Sequence, residues 1–394
     1  MEERTVALRS HAAPALVLLA VSLCALAALC VVQHLHMSDA LVYRDEGRAV
    51  LHGRDLYGVT LTQWRLSATY PPFAALLFVP TAWMPAPVLK AAFLAGNALL
   101  LAWLVHLSAR FAGRPAGLPL LCTVTALAVW LEPVFQTFVY GQINLAVTCL
   151  VLWDLTRPPG ARGRGLALGV ATGIKLTPGL FIVYLLLKGR RREAATAAAG
   201  FAATVALGAL VLPTASVDFF TRRLYETGRV GKPWIIDNQS IQGLVARALR
   251  DPAPGLAWLV PSLVVAAAGL WLARRAPDER WGVLLTAVTA LLVSPISWSH
   301  HWVWCIPLIA VLVADGHGRW AVFTAVVFTA RTMWLVPHDG DLDLHVPWWQ
   351  QPLASPYVLL GLGLLAALAL RLRPVAKGPG DQLSARISSA STMR

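Results

Sequence analysis

Charged residues are scarce in this chain of 394 residues. Only 13% are Asp, Glu, Lys or Arg, whereas 57% are hydrophobic, and the mean hydropathy is +0.62. An ordinary soluble domain has a charged fraction of about 25%. This composition excludes a water-soluble globule and indicates a protein whose main solvent is the lipid bilayer.

Cysteine is also rare, and its placement argues against two kinds of site. The five cysteines contain no CxxC pair and all lie in or beside apolar runs: Cys24, Cys30, Cys122, Cys149 and Cys305. Metal sites and disulfide frameworks use closely spaced or loop cysteines. We therefore expect no disulfide and no metal, and the absence of a convincing nucleotide fingerprint leads us to expect no cofactor.

Long apolar runs are abundant, and a spanning helix needs about 20 such residues. The run 164–188 contains Lys175 and Pro178 and is interpreted as two short helices that meet at the outer face, so we predict an all-α polytopic protein with about twelve crossings. The first run follows Arg4 and Arg9 and is expected to be an uncleaved helix. The predicted spans are 13–33, 88–108, 117–137, 141–156, 164–188, 194–212, 256–273, 281–296, 302–314, 319–337 and 352–372.

The net charge of +13 comes from short basic clusters between these runs. Such clusters mark cytoplasmic loops, so they favour a membrane topology over a nucleic-acid partner. We expect a single transmembrane domain over 1–373 and a disordered cytoplasmic tail over 374–394. The residues expected on the cytoplasmic side are Arg4, Arg9, Arg110, Arg114, Arg157, Arg162, Arg164, Lys188, Arg190, Arg191, Arg192, Arg274, Arg275, Arg319, Arg371, Arg373 and Lys377.

Four polar islands fall on the opposite side of this topology. They are Ser38 with Asp39, and residues 140–144, 173–178 and 297–301. Polar side chains at the ends of spans are costly and often functional. Because only basic bias and span length define the topology, their convergence predicts one contiguous extracytoplasmic site. A transporter is the rival class, but its key groups are expected near the middle of the bilayer.

Asp39 is the first candidate for chemistry, since it lies just past the first span. A carboxylate there is suited to accept a proton from an attacking hydroxyl. The alternative is that Asp39, or Ser38, caps a short interfacial helix over 40–52. Asp45 and Glu46 are rival carboxylates that we expect to be solvated on that helix.

The other islands offer groups that suit a phosphate or a sugar. His300 and His301 allow three interpretations, namely phosphate or sugar contact, packing at the interface, and metal binding. Lys175 is expected to face a cavity or an anion, with snorkelling to the surface as the alternative. Gln142 and Asn144 are suited to sugar hydroxyls or to a bond with a neighbouring helix.

Two long outer segments, 34–87 and 213–255, carry basic residues against the general bias. These bases either bind an anionic ligand such as a phosphate or contact anionic lipid headgroups. They are Arg44, Arg48, Arg54, Arg65, Arg222, Arg223, Arg229 and Lys232.

An ordered series of motifs makes the chain resemble a known family over residues 14–372. The motifs are Asp39 with Val42-Tyr43-Arg44, Tyr70-Pro-Pro-Phe73, Tyr140-Gly-Gln-Ile-Asn144, Gly173-Ile-Lys-Leu-Thr-Pro178, Asn238-Gln-Ser240 and Ser294-Pro-Ile-Ser-Trp-Ser-His-His301. They resemble those of glycosyltransferase family 87, polytopic enzymes of the C-type superfamily that include phosphatidylinositol-mannoside mannosyltransferases.

The resemblance implies transfer of a sugar, usually mannose, from a polyprenyl-phosphate donor to a lipid or glycan hydroxyl outside the plasma membrane, with inversion. Asp39 matches the family's acidic residue in the first loop and would be the general base. Other polyprenyl-linked sugars such as arabinofuranose, a lipid or sugar transporter, and a non-enzymatic assembly factor are the alternatives. The residues expected to bind the donor phosphate or sugar are His300, His301, Lys175, Arg44, Tyr70, Gln142, Asn144, Asn238 and Gln239.

Overall fold

The computed structural model describes residues 2–33, 36–58, 60–62 and 65–371, with side chains from residue 12 onward. The expected tail over 374–394 lies outside the described residues. Within them the regular secondary structure is helical apart from one two-stranded antiparallel ribbon, in which Thr60 pairs with Ser67. The predicted all-α class is confirmed.

The helices follow one another with short connections. The α-helices are α1 Glu2–Val32, α2 Ser38–Leu51, α3 Pro72–Phe78, α4 Ala86–Phe111, α5 Leu118–Ala128, α6 Glu132–Tyr140, α7 Asn144–Leu155, α8 Leu166–Ile174, α9 Gly179–Leu187, α10 Arg191–Val211, α11 Pro213–Thr221, α12 Ile241–Leu249, α13 Leu256–Arg275, α14 Glu279–Val293, α15 Cys305–Ala314, α16 Gly318–Thr329, α17 Gln351–Ala354 and α18 Pro356–Arg371. The strands are β1 Thr60–Leu61 and β2 Leu66–Ser67. The 3-10 helices are Val79–Trp83, Arg223–Tyr225, Thr227–Arg229, Ser299–Trp304, Thr332–Leu335, Leu342–His345 and Trp348–Gln350.

Fewer helices than predicted are long enough to cross a membrane. Within the described ranges four qualify by length and composition, in α1, α4, α10 and α13. Two bent pairs raise the number to six if each is one span: α5 with α6, bent by 75°, and Trp348–Ala354 with α18, bent by 81°. The expected count of about twelve is not confirmed, because several apolar runs form helices of 10–17 residues.

The run 164–188 is interrupted as the sequence predicts. Helix α8 ends before Lys175, whose backbone is extended, and α9 begins after Pro178. Glycines let α8 lie directly against α10: a Cβ atom at Gly169 would stand 2.3 Å from the carbonyl oxygen of Ala197. This close packing holds the broken segment inside the protein, where its irregular backbone is tolerated.

Buried ion pairs join the connections at one end of the helices. Arg164, only 2% exposed, donates to Glu279 at 2.9 Å and lies 3.3 Å from Glu193. Asp154 accepts the backbone N–H groups of Gly165 and Leu168 at 2.9 Å. Arg164 and its neighbours belong to the predicted cytoplasmic clusters, which the fold therefore brings together at this end.

Helix α2 differs from the expected short helix at its start. It begins at Ser38, two residues before the expected start at Ala40, and its N-cap is Met37 without a side-chain hydrogen bond. Ser38 and Asp39 therefore do not act as N-caps, which removes the structural alternative for Asp39. Glu46 is only 1% exposed, so the expectation that it is solvated is wrong.

Candidate functional site

One cavity of about 900 Å³ opens at the end of the molecule opposite the buried ion pairs. Its volume lies in the range of ligand pockets, roughly 300–1,000 Å³. Residues from all four polar islands line its wall, although the first and last islands are about two-thirds of the chain apart in sequence. The predicted site residues that line it are Asp39, Tyr70, Gln142, Lys175, His300 and His301.

Asp39 lies in the first turn of α2, on the cavity wall. The Gln142 side-chain amide donates a hydrogen bond to Asp39 Oδ2, and Ser38 Oγ lies 3.4 Å from Oδ1. Burial raises the pKa of Asp39 to about 6, while the Gln142 hydrogen bond and the charge of Lys175 act in the opposite direction. A carboxylate with this pKa is ionised near neutral pH and is still basic enough to take a proton.

Two tyrosines fix the orientation of the Gln142 amide. The Tyr43 hydroxyl donates to Gln142 Oε1 at 2.8 Å and the Tyr70 hydroxyl donates to the same oxygen at 3.2 Å. An amide oxygen that accepts two hydroxyl groups leaves the amide nitrogen facing the other way. That nitrogen is the atom directed at Asp39, so the tyrosine pair positions the donor that holds the carboxylate.

Lys175 brings positive charge to the same wall from the break between α8 and α9. Its Nζ lies 2.9 Å from Asn144 Oδ1 and 2.8 Å from His301 Nε2, and it stands 5.6 Å from the centre of the Tyr70 ring. Asn144 also donates to the backbone carbonyl of His300 at 3.1 Å. Asn144 does not line the main cavity but joins the lysine to the histidine segment behind it.

His300 is buried against the cavity with no partner for either ring nitrogen among the described residues. It is 3% exposed, and its ring meets that of Tyr140 edge-on at 5.3 Å. A buried polar group without a partner is costly. The nitrogen atoms are therefore available to a ligand in the cavity. Packing at the membrane interface would not explain two unpaired nitrogens at this position.

Besides Asn144, three predicted donor-binding residues do not reach the cavity. Asn238 is completely buried, donating to the carbonyls of Pro233 and Pro295 and accepting from the N–H of Ser297. Gln239 is likewise buried and bonded to backbone groups. Arg44 lies 3.8 Å from Asp45 and is off the cavity wall. These positions correct the expectation of direct contact.

A metal centre was one of the three interpretations of the histidine pair. Over residues 12–371, with the gaps given above, no group of three or more His, Cys, Asp or Glu side chains is arranged to hold a metal ion. His301 instead forms a hydrogen bond with Lys175, whose Nζ lies 2.8 Å from His301 Nε2. Around Asp39 the cavity wall thus combines a carboxylate, a lysine amine and imidazole groups that are linked by hydrogen bonds.

Comparisons with known proteins bear on what this site does. The profile of glycosyltransferase family 87 matches residues 68–295. A polyprenol-phosphate-mannose-dependent alpha-(1-2)-phosphatidylinositol mannoside mannosyltransferase of Mycobacterium tuberculosis strain H37Rv is 34% identical over 361 residues, with 84% of each chain covered. The chain belongs to glycosyltransferase family 87.

A second relative and one solved structure are also similar to this family 87 protein. An enzyme of that name from Mycolicibacterium smegmatis is 32% identical over 372 residues, which covers 84% of this chain and 83% of the relative. The structure of ArnT from Cupriavidus metallidurans bound to undecaprenyl phosphate aligns with a TM-score of 0.43 and 17% identity, over 93% of this chain and 78% of that one.

The family 87 profile does not include every residue of the site. Asp39, His300 and His301 lie outside the matched range of 68–295, so their grouping rests on the geometry of the cavity. The predicted membership of the family is confirmed, and with it the class of enzyme: the protein is a multi-pass membrane glycosyltransferase.

The family 87 site also contains residues that sequence reasoning did not select. Asp237 lines the cavity and is 7% exposed. Tyr43 lines the cavity as well, although the sequence predicts no role for it beyond its place in the motif Val42-Tyr43-Arg44. Of the basic residues in the outer segments, Arg65, Arg223 and Arg229 reach the wall. The sequence did contain a signal for Asp237, because this acidic residue directly follows the apolar triplet 234–236.

Proposed function

We propose that this protein transfers mannose from a polyprenyl-phosphate donor to a hydroxyl group of a lipid or glycan acceptor, with inversion. The reaction takes place at the extracytoplasmic face of the plasma membrane. The observation that carries the proposal is that one cavity brings the carboxylate of Asp39 together with the amine of Lys175 and the imidazoles of His300 and His301. The donor named for the two relatives fits this arrangement.

Asp39 acts as the general base. The acceptor oxygen forms a bond to the anomeric carbon while its proton moves to the Asp39 carboxylate. The bond between the anomeric carbon and the phosphate oxygen breaks, and its electron pair stays on the phosphate. One displacement of this kind inverts the anomeric centre. The hydrogen bond from Gln142 keeps the carboxylate in place for the transfer.

The leaving polyprenyl phosphate gains negative charge as the bond breaks. Lys175 offsets that charge, and His300 and His301 are placed to donate hydrogen bonds to the phosphate oxygens. Asn144 holds the lysine and the histidine segment in register, since it contacts Nζ of Lys175 at 2.9 Å and the carbonyl of His300 at 3.1 Å. Tyr70 and Gln142 complete the wall and are available to the sugar.

Transfer by purified protein in lipid vesicles tests the proposal. Radiolabelled polyprenyl-phosphate mannose is supplied with a membrane extract as acceptor, and the wild type is compared with Asp39→Asn. We expect the variant to bind the donor and to lose transfer by about 100-fold or more, the usual contribution of a general base. Asp45→Asn is the matched control, because Asp45 is on the same helix, is paired with Arg48 at 3.4 Å and does not line the cavity.

Each result decides between the alternatives. Undiminished transfer by Asp39→Asn would remove the base assignment. Transfer only from another polyprenyl-linked sugar, such as arabinofuranose, would change the donor. If no such sugar is transferred but a lipid or sugar crosses the vesicle membrane, the protein is a transporter and the proposal is wrong.

A further inference from the structure

A second carboxylate, Asp237, faces the cavity and has no part in the mechanism above. It lies between the 3-10 helix Thr227–Arg229 and α12, in a segment whose conformation is tightly held. The completely buried Arg247 donates to the carbonyls of Ile235 at 3.0 Å and Asn238 at 3.2 Å. The N–H of Ile236 donates to Asp343 at 2.6 Å. The position of Asp237 is therefore fixed before any substrate enters.

Asp237 is bonded to the segment that carries the two histidines. Its Oδ1 accepts the backbone N–H of Ser299 at 3.0 Å. No Lys, Arg or His of the described part of the chain forms an ion pair with it. A carboxylate has two oxygens and about four acceptor sites, so contacts with Ser299 alone leave acceptor capacity at the cavity wall. Because Asp237 is 7% exposed and lines the cavity, this capacity is open to hydroxyl donors of a ligand.

The chemistry of that ligand follows from the charges around the cavity. A carboxylate repels a phosphate, so the donor phosphate belongs at Lys175 and not beside Asp237. Hydroxyl groups donate hydrogen bonds to a carboxylate, and neighbouring hydroxyls of a sugar ring are spaced to reach both oxygens. Asp237 bonds Ser299, the residue before His300, which places it on the donor side of the cavity.

We infer that Asp237 is a sugar-binding residue that accepts hydrogen bonds from ring hydroxyls of the sugar being transferred, and that it selects sugar-bearing polyprenyl phosphates over bare polyprenyl phosphate. The inference rests on the proposed function, since it needs a polyprenyl-phosphate sugar in the cavity. Asp39 serves the acceptor hydroxyl and Asp237 the transferred sugar. The two carboxylates thus divide the cavity into an acceptor side and a donor side.

Binding of two lipids tests the inference without requiring turnover. Polyprenyl-phosphate mannose and polyprenyl phosphate are titrated against the wild type, Asp237→Asn and Asp341→Asn. The asparagine at position 237 keeps an oxygen for the N–H of Ser299. Asp341 is the control because it is a carboxylate of the same face, exposed and paired with Lys232 at 2.6 Å.

We expect Asp237→Asn to bind the mannose lipid at least about 10-fold more weakly and the bare lipid within about 2-fold of wild type, since a hydrogen bond to a charged group contributes roughly 10-fold or more in affinity. Asp341→Asn should leave both affinities unchanged. Equal losses for both lipids, or no loss for either, would overturn the inference. A higher acceptor KM with unchanged donor affinity would move Asp237 to the acceptor side and also overturn it.

Donor analogues that lack single hydroxyls give an independent check. In the wild type, removing the contacted hydroxyl should weaken binding, whereas in Asp237→Asn the same deletion should have little further effect, as expected for two groups that interact directly. If the wild type discriminates sugar-bearing from bare lipid but transfers a sugar other than mannose, the donor proposal fails and the inference stands. A wild type that makes no such discrimination refutes the inference.

Discussion

Gln142 links the ionisation of Asp39 to the tyrosine pair, and this link predicts a change in pH dependence. The pKa of Asp39 is about 6, and the hydrogen bond from Gln142 lowers it. The base works in its ionised form, so kcat should fall as the pH drops through about 6. In Gln142→Ala the carboxylate loses a donor that favours the charged form, its pKa rises, and the acidic limb of the kcat profile should move to higher pH.

The profile of kcat between pH 5 and 8 measures this effect. Tyr43→Phe should produce a smaller shift in the same direction, because it removes one of the two hydroxyls that orient the amide. Asp45→Asn should leave the limb in place, as Asp45 is off the cavity wall. A Gln142→Ala profile that is lower throughout but unshifted would mean that Gln142 acts on the substrate and not on the base.

The individual residues differ in how far sequence could reveal them. Asp39, Lys175 and His300 were predictable, because each is polar beside or within an apolar run where its cost needs a reason. Glu46 was not, since it sits between Asp45 and Arg48 on a helix that looks amphipathic. In the fold its carboxylate is buried, and burial raises its pKa to about 8 although the backbone of Thr69 acts in the opposite direction.

At the scale of elements, the segment 233–240 acts as a brace for the loop that carries the histidines. Asn238 contacts Pro295 and Ser297, the N–H of Gln239 donates to the carbonyl of Ser297 at 2.8 Å, and Asn238 forms an isolated β-bridge with Trp298. The Asn238 side chain bonds three backbone groups, one of which, the carbonyl of Pro295, also accepts from the Ser240 hydroxyl at 3.1 Å. A residue predicted to touch substrate therefore works through the loop.

Asn238→Ala should lower both stability and activity. It leaves buried donors and acceptors unpaired, each of which costs about 1–3 kcal/mol, so we expect a loss of unfolding free energy on the order of 2 kcal/mol or more. Thermal unfolding in detergent and the transfer assay measure the two effects. Gln33→Ala, which removes an exposed amide, should change neither. A fully stable Asn238→Ala with impaired donor binding would restore the expectation of direct contact.

The elements also explain why hydropathy alone does not establish the number of spans. Hydropathy found the position of α1, α4, α10 and α13, and Lys175 with Pro178 marked the broken run correctly. It cannot distinguish a full crossing from a short apolar helix packed inside the protein. Helix α7, for example, has only 12 residues and most of them are buried, so its apolar sequence reflects protein packing.

At the scale of the whole molecule, the two ends differ in their chemistry. One end carries the basic clusters and the Arg164 ion pairs, and the other carries the cavity. The bias of Lys and Arg toward cytoplasmic loops predicts that the cavity faces outward. A polyprenyl-phosphate sugar presented on the outer leaflet would then reach the site directly from the membrane.

Labelling of single cysteines with a membrane-impermeant maleimide tests this orientation. The test uses a variant whose five native cysteines are replaced by alanine. Tyr225→Cys marks the cavity end, because Tyr225 is 73% exposed and follows Leu224, which lines the cavity. Pro159→Cys marks the exposed connection between α7 and α8 at the other end. We expect Tyr225→Cys to react in intact cells and Pro159→Cys only after lysis, with no labelling of the cysteine-free parent. The opposite pattern would place the cavity in the cytoplasm, where the donor would have to be presented on the inner leaflet, and the proposed extracytoplasmic reaction would be wrong.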